Sequence, residues 1–139
     1  MRTSSRHRFK TLCVAFVACF AASAVSAQKT QLTVYTALET DQLKAYQEGF
    51  NKANPDIDIT WVRDSTGIIT AKLLAEKSNP RADVVMGVAA TSMAIFDQEG
   101  MLVPYAPAGL SRIDARYRDA KNPPTWVGMD VWGATICFN

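Results

Sequence analysis

Three short segments carry hydroxyl and carboxyl groups in the same relation to their neighbours: Thr36-Ala37-Leu38-Glu39, Asp64-Ser65-Thr66-Gly67 and Ala89-Ala90-Thr91-Ser92. Each follows a short apolar or β-branched run and precedes an amphipathic one, so each reads as the passage from the end of a strand into the first turn of a helix. A helix's first turn leaves N–H groups unpaired and carries partial positive charge, and Ser or Thr hydroxyls donate further bonds. The chemistry on offer is capture of a small anion. Ser65, Thr66 and Gly67 form the densest group, because a residue without Cβ lets the backbone come close to bound oxygen atoms. Thr36 and Ala37, with Ala90 and Thr91, stand at equivalent places in the other two loops. The same residue types are also ordinary helix caps, and Thr36 with Glu39 has capping-box spacing. Glu39 holds a ligand's ammonium group if its carboxylate points across the cleft instead of capping. Tyr35 and Trp61, at strand ends, suit either a core or a ligand wall. Arg63 and Asp64 pair with each other or with solvent.

Catalysis finds little support. No paired acids, glycine-rich phosphate loop or CxxC motif is present. The one histidine, His7, and two of the three cysteines, Cys13 and Cys19, fall within the first 27 residues. The remainder therefore contains no Ser/His/Asp triad and no histidine-based metal site. Neither a cofactor nor a metal is expected, and no catalytic residue is assigned. Cys137, alone in the remainder, lies in the apolar run 134–138 and is expected to be buried and inert.

The first 27 residues have their own logic. Arg2, Arg6, Arg8 and Lys10 precede an uncharged run from Thr11 to Ala22, which ends in Val25-Ser26-Ala27. That run is about twelve residues, short of the ~20 that span a bilayer, and small residues follow it. Residues 1–27 are expected to be a cleaved secretory signal peptide, with the mature chain beginning at Gln28 in the periplasm. Phe16 stands where a lipoprotein signal prefers leucine before Cys19, so lipidation is not expected. Without this segment, 15 basic and 13 acidic residues become 11 and 13, a net charge near −2. The basicity belongs to the signal, which removes the argument for a nucleic-acid surface.

Residues 28–139 must build the frame for the three loops. Gln31 to Thr36 is β-rich, and Leu43, Tyr46 and Phe50 then recur at helical spacing up to Asn54-Pro55. Ile57 to Val62 alternates, and a helix opened by Ser65 carries Ile69, Leu73 and Leu74. Asp83 to Met86 is a short apolar strand, followed by a helix from Thr91 to Gly100. Three such units predict an α/β fold with a largely parallel sheet and helices on both faces. Beyond Gly100 the expectations are a helical stretch at Ser111 to Asp119 and two closing strands, Thr125 to Asp130 and Ala134 to Asn139. The sequence stops inside an apolar strand, so it reads as part of a longer protein.

The segments Val34-Tyr35-Thr36-Ala37-Leu38-Glu39, Trp61-Val62-Arg63-Asp64-Ser65-Thr66-Gly67, Pro80-Arg81-Ala82-Asp83-Val84-Val85 and Trp126-Val127-Gly128-Met129-Asp130 resemble the periplasmic substrate-binding proteins of the ferric-iron-like group. Within that group the chain is most similar to 2-aminoethylphosphonate-binding proteins. The resemblance runs from Gln31 to Asn139 and implies a type II periplasmic-binding-protein fold, two lobes closing on a ligand. Residues 28–139 would be part of the first lobe, ending near the hinge, with the second lobe mostly outside this chain. It further implies a monomer that hands a phosphonate to an inner-membrane ABC permease. The ligand contacts it implies are Tyr35, Thr36, Ala37, Glu39, Ser65, Thr66, Gly67, Ala90 and Thr91. Iron-binding members of the group often have a histidine where this chain has Glu39, and a glutamate near Val88. The alternatives are thus a ferric-iron carrier of the same fold and an exported α/β phosphoester hydrolase.

Overall fold

The computed structural model describes residues 28–133 and 135–137. The expected signal peptide lies outside the described residues, as do Ala134, Phe138 and Asn139. Three strand–helix units follow in order: β1 (Thr30–Thr36), α1 (Thr40–Ala53), β2 (Ile57–Arg63), α2 (Thr66–Ala75), β3 (Val84–Met86) and α3 (Ala90–Gln98). The strands form one parallel sheet in the order β2-β1-β3. β1 pairs with β2 along its whole length, from Thr30 opposite Ile57 to Thr36 opposite Arg63, and with β3 from Val34 opposite Val84 to Thr36 opposite Met86.

Alternation along β1 sorts its side chains to two faces. Tyr35 faces α2 and α3 and forms a buried cluster with Ile69, Leu73 and Phe96, against which Val62 and Val85 pack. Ile69 and Phe96 are 0% and 1% exposed, and full burial of such side chains contributes roughly 1.5–3 kcal/mol each. Val34 and Trp61 face the other way, toward α1, whose Gln47 accepts a 2.9 Å hydrogen bond from the Trp61 indole. The β2–α2–β3 connection returns across β1, and right-handed crossovers in opposite directions place helices on opposite faces.

A polar lock sits at the far end of the Tyr35 side chain. Its hydroxyl donates to Glu76 Oε2 at 2.9 Å, Lys72 donates to Glu76 Oε1 at 2.7 Å, and the Lys72 ammonium stands 5.4 Å from the Tyr35 ring centre. The Lys72 hydrogen bond holds Glu76 below the ordinary carboxylate value, while burial and the Glu76 carboxylate raise Tyr35.

The chain beyond α3 departs from expectation. Ser111 to Asp119 forms two short 3-10 turns, Leu110–Arg112 and Ala115–Tyr117, in place of a helix. Thr125 to Asp130 makes one isolated bridge, Val127 with Arg118, and residues 135–137 pair with nothing described. Alternation reports which face a residue can bury, but a strand also needs a neighbour to receive its hydrogen bonds, and no described strand lies beside these segments. Cys137 is accordingly exposed, contrary to the buried position expected. Residues 119–125 are fastened to α3 by Lys121 on Asp97 at 2.6 Å and Thr125 Oγ1 with Asp97 at 2.9 Å, and the segment is braced internally by the Thr125 N–H on Asp119 at 3.0 Å.

Because the folded state lowers the Glu76 pKa, its stabilising contribution is present above the unfolded value, near 4.5, and is lost as pH falls through the folded value. In urea unfolding, Glu76→Gln is expected to be less stable than the parent at pH 7, with the gap closing toward pH 3. An equal gap at both pH values would contradict this role.

Candidate functional site

The three strands end on one rim, and each is followed there by a helix N-terminus: Glu39 caps α1, Ser65 caps α2 and Ala89 precedes α3. In open parallel sheets the crevice beyond the strands' C-terminal ends, where the winding reverses, is the place for ligands. Here that crevice lies between β1 and β3. The loops approach closely because Gly87 has a φ of +64°, and a Cβ there would stand 2.3 Å from Leu38 Cγ.

Two cavities open at this end. The larger, about 720 Å³, lies between β3 and residues 125–132 and is walled largely by apolar groups such as Val84, Met86, Met93 and Trp126. The smaller, about 380 Å³, is lined by Ala37, Glu39, Gln42, Thr66, Asp130 and Trp132, with Leu38 and Gly87. An anion needs donors, so the smaller cavity is the candidate site although the other is bigger.

Of the residues expected at the site, Ala37, Glu39 and Thr66 line this cavity. Ser65 stands beside it as the cap of α2, its Oγ 3.5 Å from the Ile68 nitrogen, a long and weak bond. Among the described residues the amides of Thr66 and Gly67 make no hydrogen bond, and no heavy atom lies within 4 Å of a Cβ built on Gly67. The space beside Gly67 is open, and the close approach of two loops of the protein is at Gly87. Ala90 lines the larger cavity, and Thr91 is exposed on α3.

Tyr35 and Thr36 lie below the rim. Tyr35 is 2% exposed with its hydroxyl committed to Glu76, because strand alternation turns it into the core. Its side chain is core, not ligand wall. Thr36 is fully buried, and its Oγ1 accepts from the Leu38 N–H at 3.1 Å, shaping the turn out of β1. The capping box joins Glu39 to Gln42, not Thr36 to Glu39, since Gln42 Oε1 accepts from the Glu39 N–H at 3.1 Å and α1 begins only at Thr40. The Glu39 carboxylate pairs with the Arg63 guanidinium, whose Nε also donates to the Leu38 carbonyl at 2.8 Å. Arg63 thus binds Glu39 instead of Asp64, and Asp64 accepts from the Ser65 N–H at 2.7 Å.

Gln42, Gly87, Asp130 and Trp132 were not foreseen. Gln42 was legible, being three residues after Glu39 before an apolar run. Gly87 was visible as a glycine directly after a strand. Asp130 and Trp132 reach the rim through the irregular return of the chain, which no periodicity encodes.

A profile of the bacterial extracellular solute-binding protein family matches residues 36–135. The chain belongs to this family. A probable ABC transporter periplasmic-binding protein of Sinorhizobium fredii, y4fP, is 34% identical over 100 residues, which are 72% of this chain and 27% of that protein. Among solved structures, AfuA from Actinobacillus pleuropneumoniae with bound fructose-6-phosphate superposes with a TM-score of 0.60 at 25% identity, over 66% of this chain and 28% of AfuA. The periplasmic binding protein P5PA gives 0.58 at 25%, over 64% and 28%. Iron-bound HitA from Pseudomonas aeruginosa gives 0.60 at 16%, over 66% and 29%, a likeness of fold alone. These are type II periplasmic binding proteins, so the expected fold class holds. This chain spans little more than a quarter of the length of the relatives it matches.

The two glycines of the rim make a paired test. Gly87→Ala adds a side chain at a left-handed φ and against Leu38, and should cost about 1 kcal/mol or more in urea unfolding. Gly67→Ala, in the first turn of α2 with free space around it, should be neutral or stabilising by up to about 1 kcal/mol. Equal effects at both positions would refute the geometry described.

Proposed function

We propose that this chain is first-lobe sequence of a monomeric periplasmic solute-binding protein that delivers a phosphonate, 2-aminoethylphosphonate, to an inner-membrane ABC permease. In this reading residues 1–27 are a cleaved signal peptide, the protein is not an enzyme, and neither metal nor cofactor takes part. The observation that carries the ligand class is the start of α2, where the free amides of Thr66 and Gly67 and the weakly used Ser65 hydroxyl stand at the mouth of a cavity that Thr66 lines. A tetrahedral oxyanion matches such donors, and helix N-termini favour its charge. Thr91 and the rim backbone at Ala37 and Ala90 are secondary contacts. AfuA, 25% identical, holds a phosphate-bearing ligand, which supports an oxyanion of this shape. The iron-bound neighbour HitA, at 16% identity, supports only the fold.

Calorimetric titration of the whole protein with 2-aminoethylphosphonate, inorganic phosphate and ferric citrate tests the proposal. The phosphonate should bind most tightly. Ser65→Ala with Thr66→Ala should then weaken binding by about 1.5–3 kcal/mol for each lost bond to a charged group. Preferential binding of ferric citrate with a tyrosinate-to-iron absorption band would replace this reading with iron carriage, and unchanged affinity in the double variant would remove the assigned contacts.

A further inference from the structure

We propose that Asp130, with Trp132 beside it, is the receptor for a cationic amine, so that the rim selects a zwitterion over a plain anion; this rests on the phosphonate reading above. The two residues line the same cavity of about 380 Å³ as Thr66 and Glu39, a size at the lower end of ordinary small-molecule pockets, about 300–1,000 Å³. The other cavity-lining carboxylate, Glu39, is already neutralised by Arg63, which is itself anchored on the Leu38 carbonyl. A ligand amine at Glu39 would have to displace a guanidinium bound at two points.

Asp130 makes no hydrogen bond or ion pair among the described residues, whereas the carboxylates of Asp64, Asp97 and Asp119 are all engaged. A carboxylate facing a shared cavity with no counter-charge favours a cation brought by the ligand. Trp132 lines the same cavity beside Asp130. An ammonium group close to both gains charge pairing and a cation–π contact. The site is therefore dipolar: the α2 N-terminus provides positive character for the oxyanion, and Asp130 provides the negative charge for the amine. The two segments that hold these poles are far apart in sequence and meet only through the fold.

The test compares 2-aminoethylphosphonate with ethylphosphonate, which lacks the amine, on the whole protein and on Asp130→Asn, by calorimetry. The parent should prefer the amine-bearing ligand by at least tenfold, and Asp130→Asn should abolish that preference while ethylphosphonate, freed of a nearby negative charge, binds as tightly as to the parent or more tightly. Trp132→Ala should reduce the same preference, and Trp132→Phe should largely restore it. Equal affinity of the parent for both ligands overturns the amine receptor and leaves the phosphonate reading standing. Loss of the preference in Glu39→Gln but not in Asp130→Asn places the amine at Glu39 and overturns the inference. Binding of neither ligand by the folded parent refutes the phosphonate reading and this inference with it.

Discussion

β1 is hydrogen-bonded on both edges, and the remaining features depend on that. Because the central strand is the first of the three, the two crossovers that follow must run in opposite directions. The chain first moves outward to β2 and then returns past β1 to β3. That reversal puts α1 on one face and α2 with α3 on the other, and opens the crevice between β1 and β3 into which their loops converge. Burial is deep along the end of the central strand: Val34 and Tyr35 are each 2% exposed and Thr36 is fully buried.

The rim itself is divided between groups that hold the frame and groups left available. Thr36, Ser92 and Gln42 spend their polar atoms on turns and helix contacts: Thr36 on Leu38, Ser92 on Thr70 at 2.8 Å, and Gln42 on Glu39. Arg63 ties the second strand to the first loop. Among the described residues, the groups left with free hydrogen-bonding capacity at the cavity include the start of α2 and the Asp130 side chain. Binding proteins need such rigid first contacts, because a site held in place before the ligand arrives loses less entropy on binding.

The three strand–helix units were legible because period-2 and period-3.6 patterns carry them directly, and the parallel sheet followed from their repetition. Loop positions were equally legible, since they lie wherever the period changes. Side-chain allegiance was harder. Tyr35 looked available from sequence, yet one step of strand alternation sends it to the core and its hydroxyl to Glu76. Glu39 looked like a ligand group, but Arg63, 24 residues away, reaches it only after folding. Thr125 to Asp130 had strand-like composition without a strand beside it, and so it runs irregularly to bring Asp130 and Trp132 to the rim. Contacts of this kind depend on which elements become neighbours, and local periodicity does not state that.

The central claim, that the first turn of α2 receives the anion, is tested most directly by amide hydrogen exchange at Thr66, Gly67 and Ile68 in the whole protein, with and without saturating 2-aminoethylphosphonate. The predicted result is strong slowing at these amides on binding, with little change in the exposed last turn of α1. A ligand that binds tightly while exchange at all three amides stays the same would contradict the claim and move the anion elsewhere.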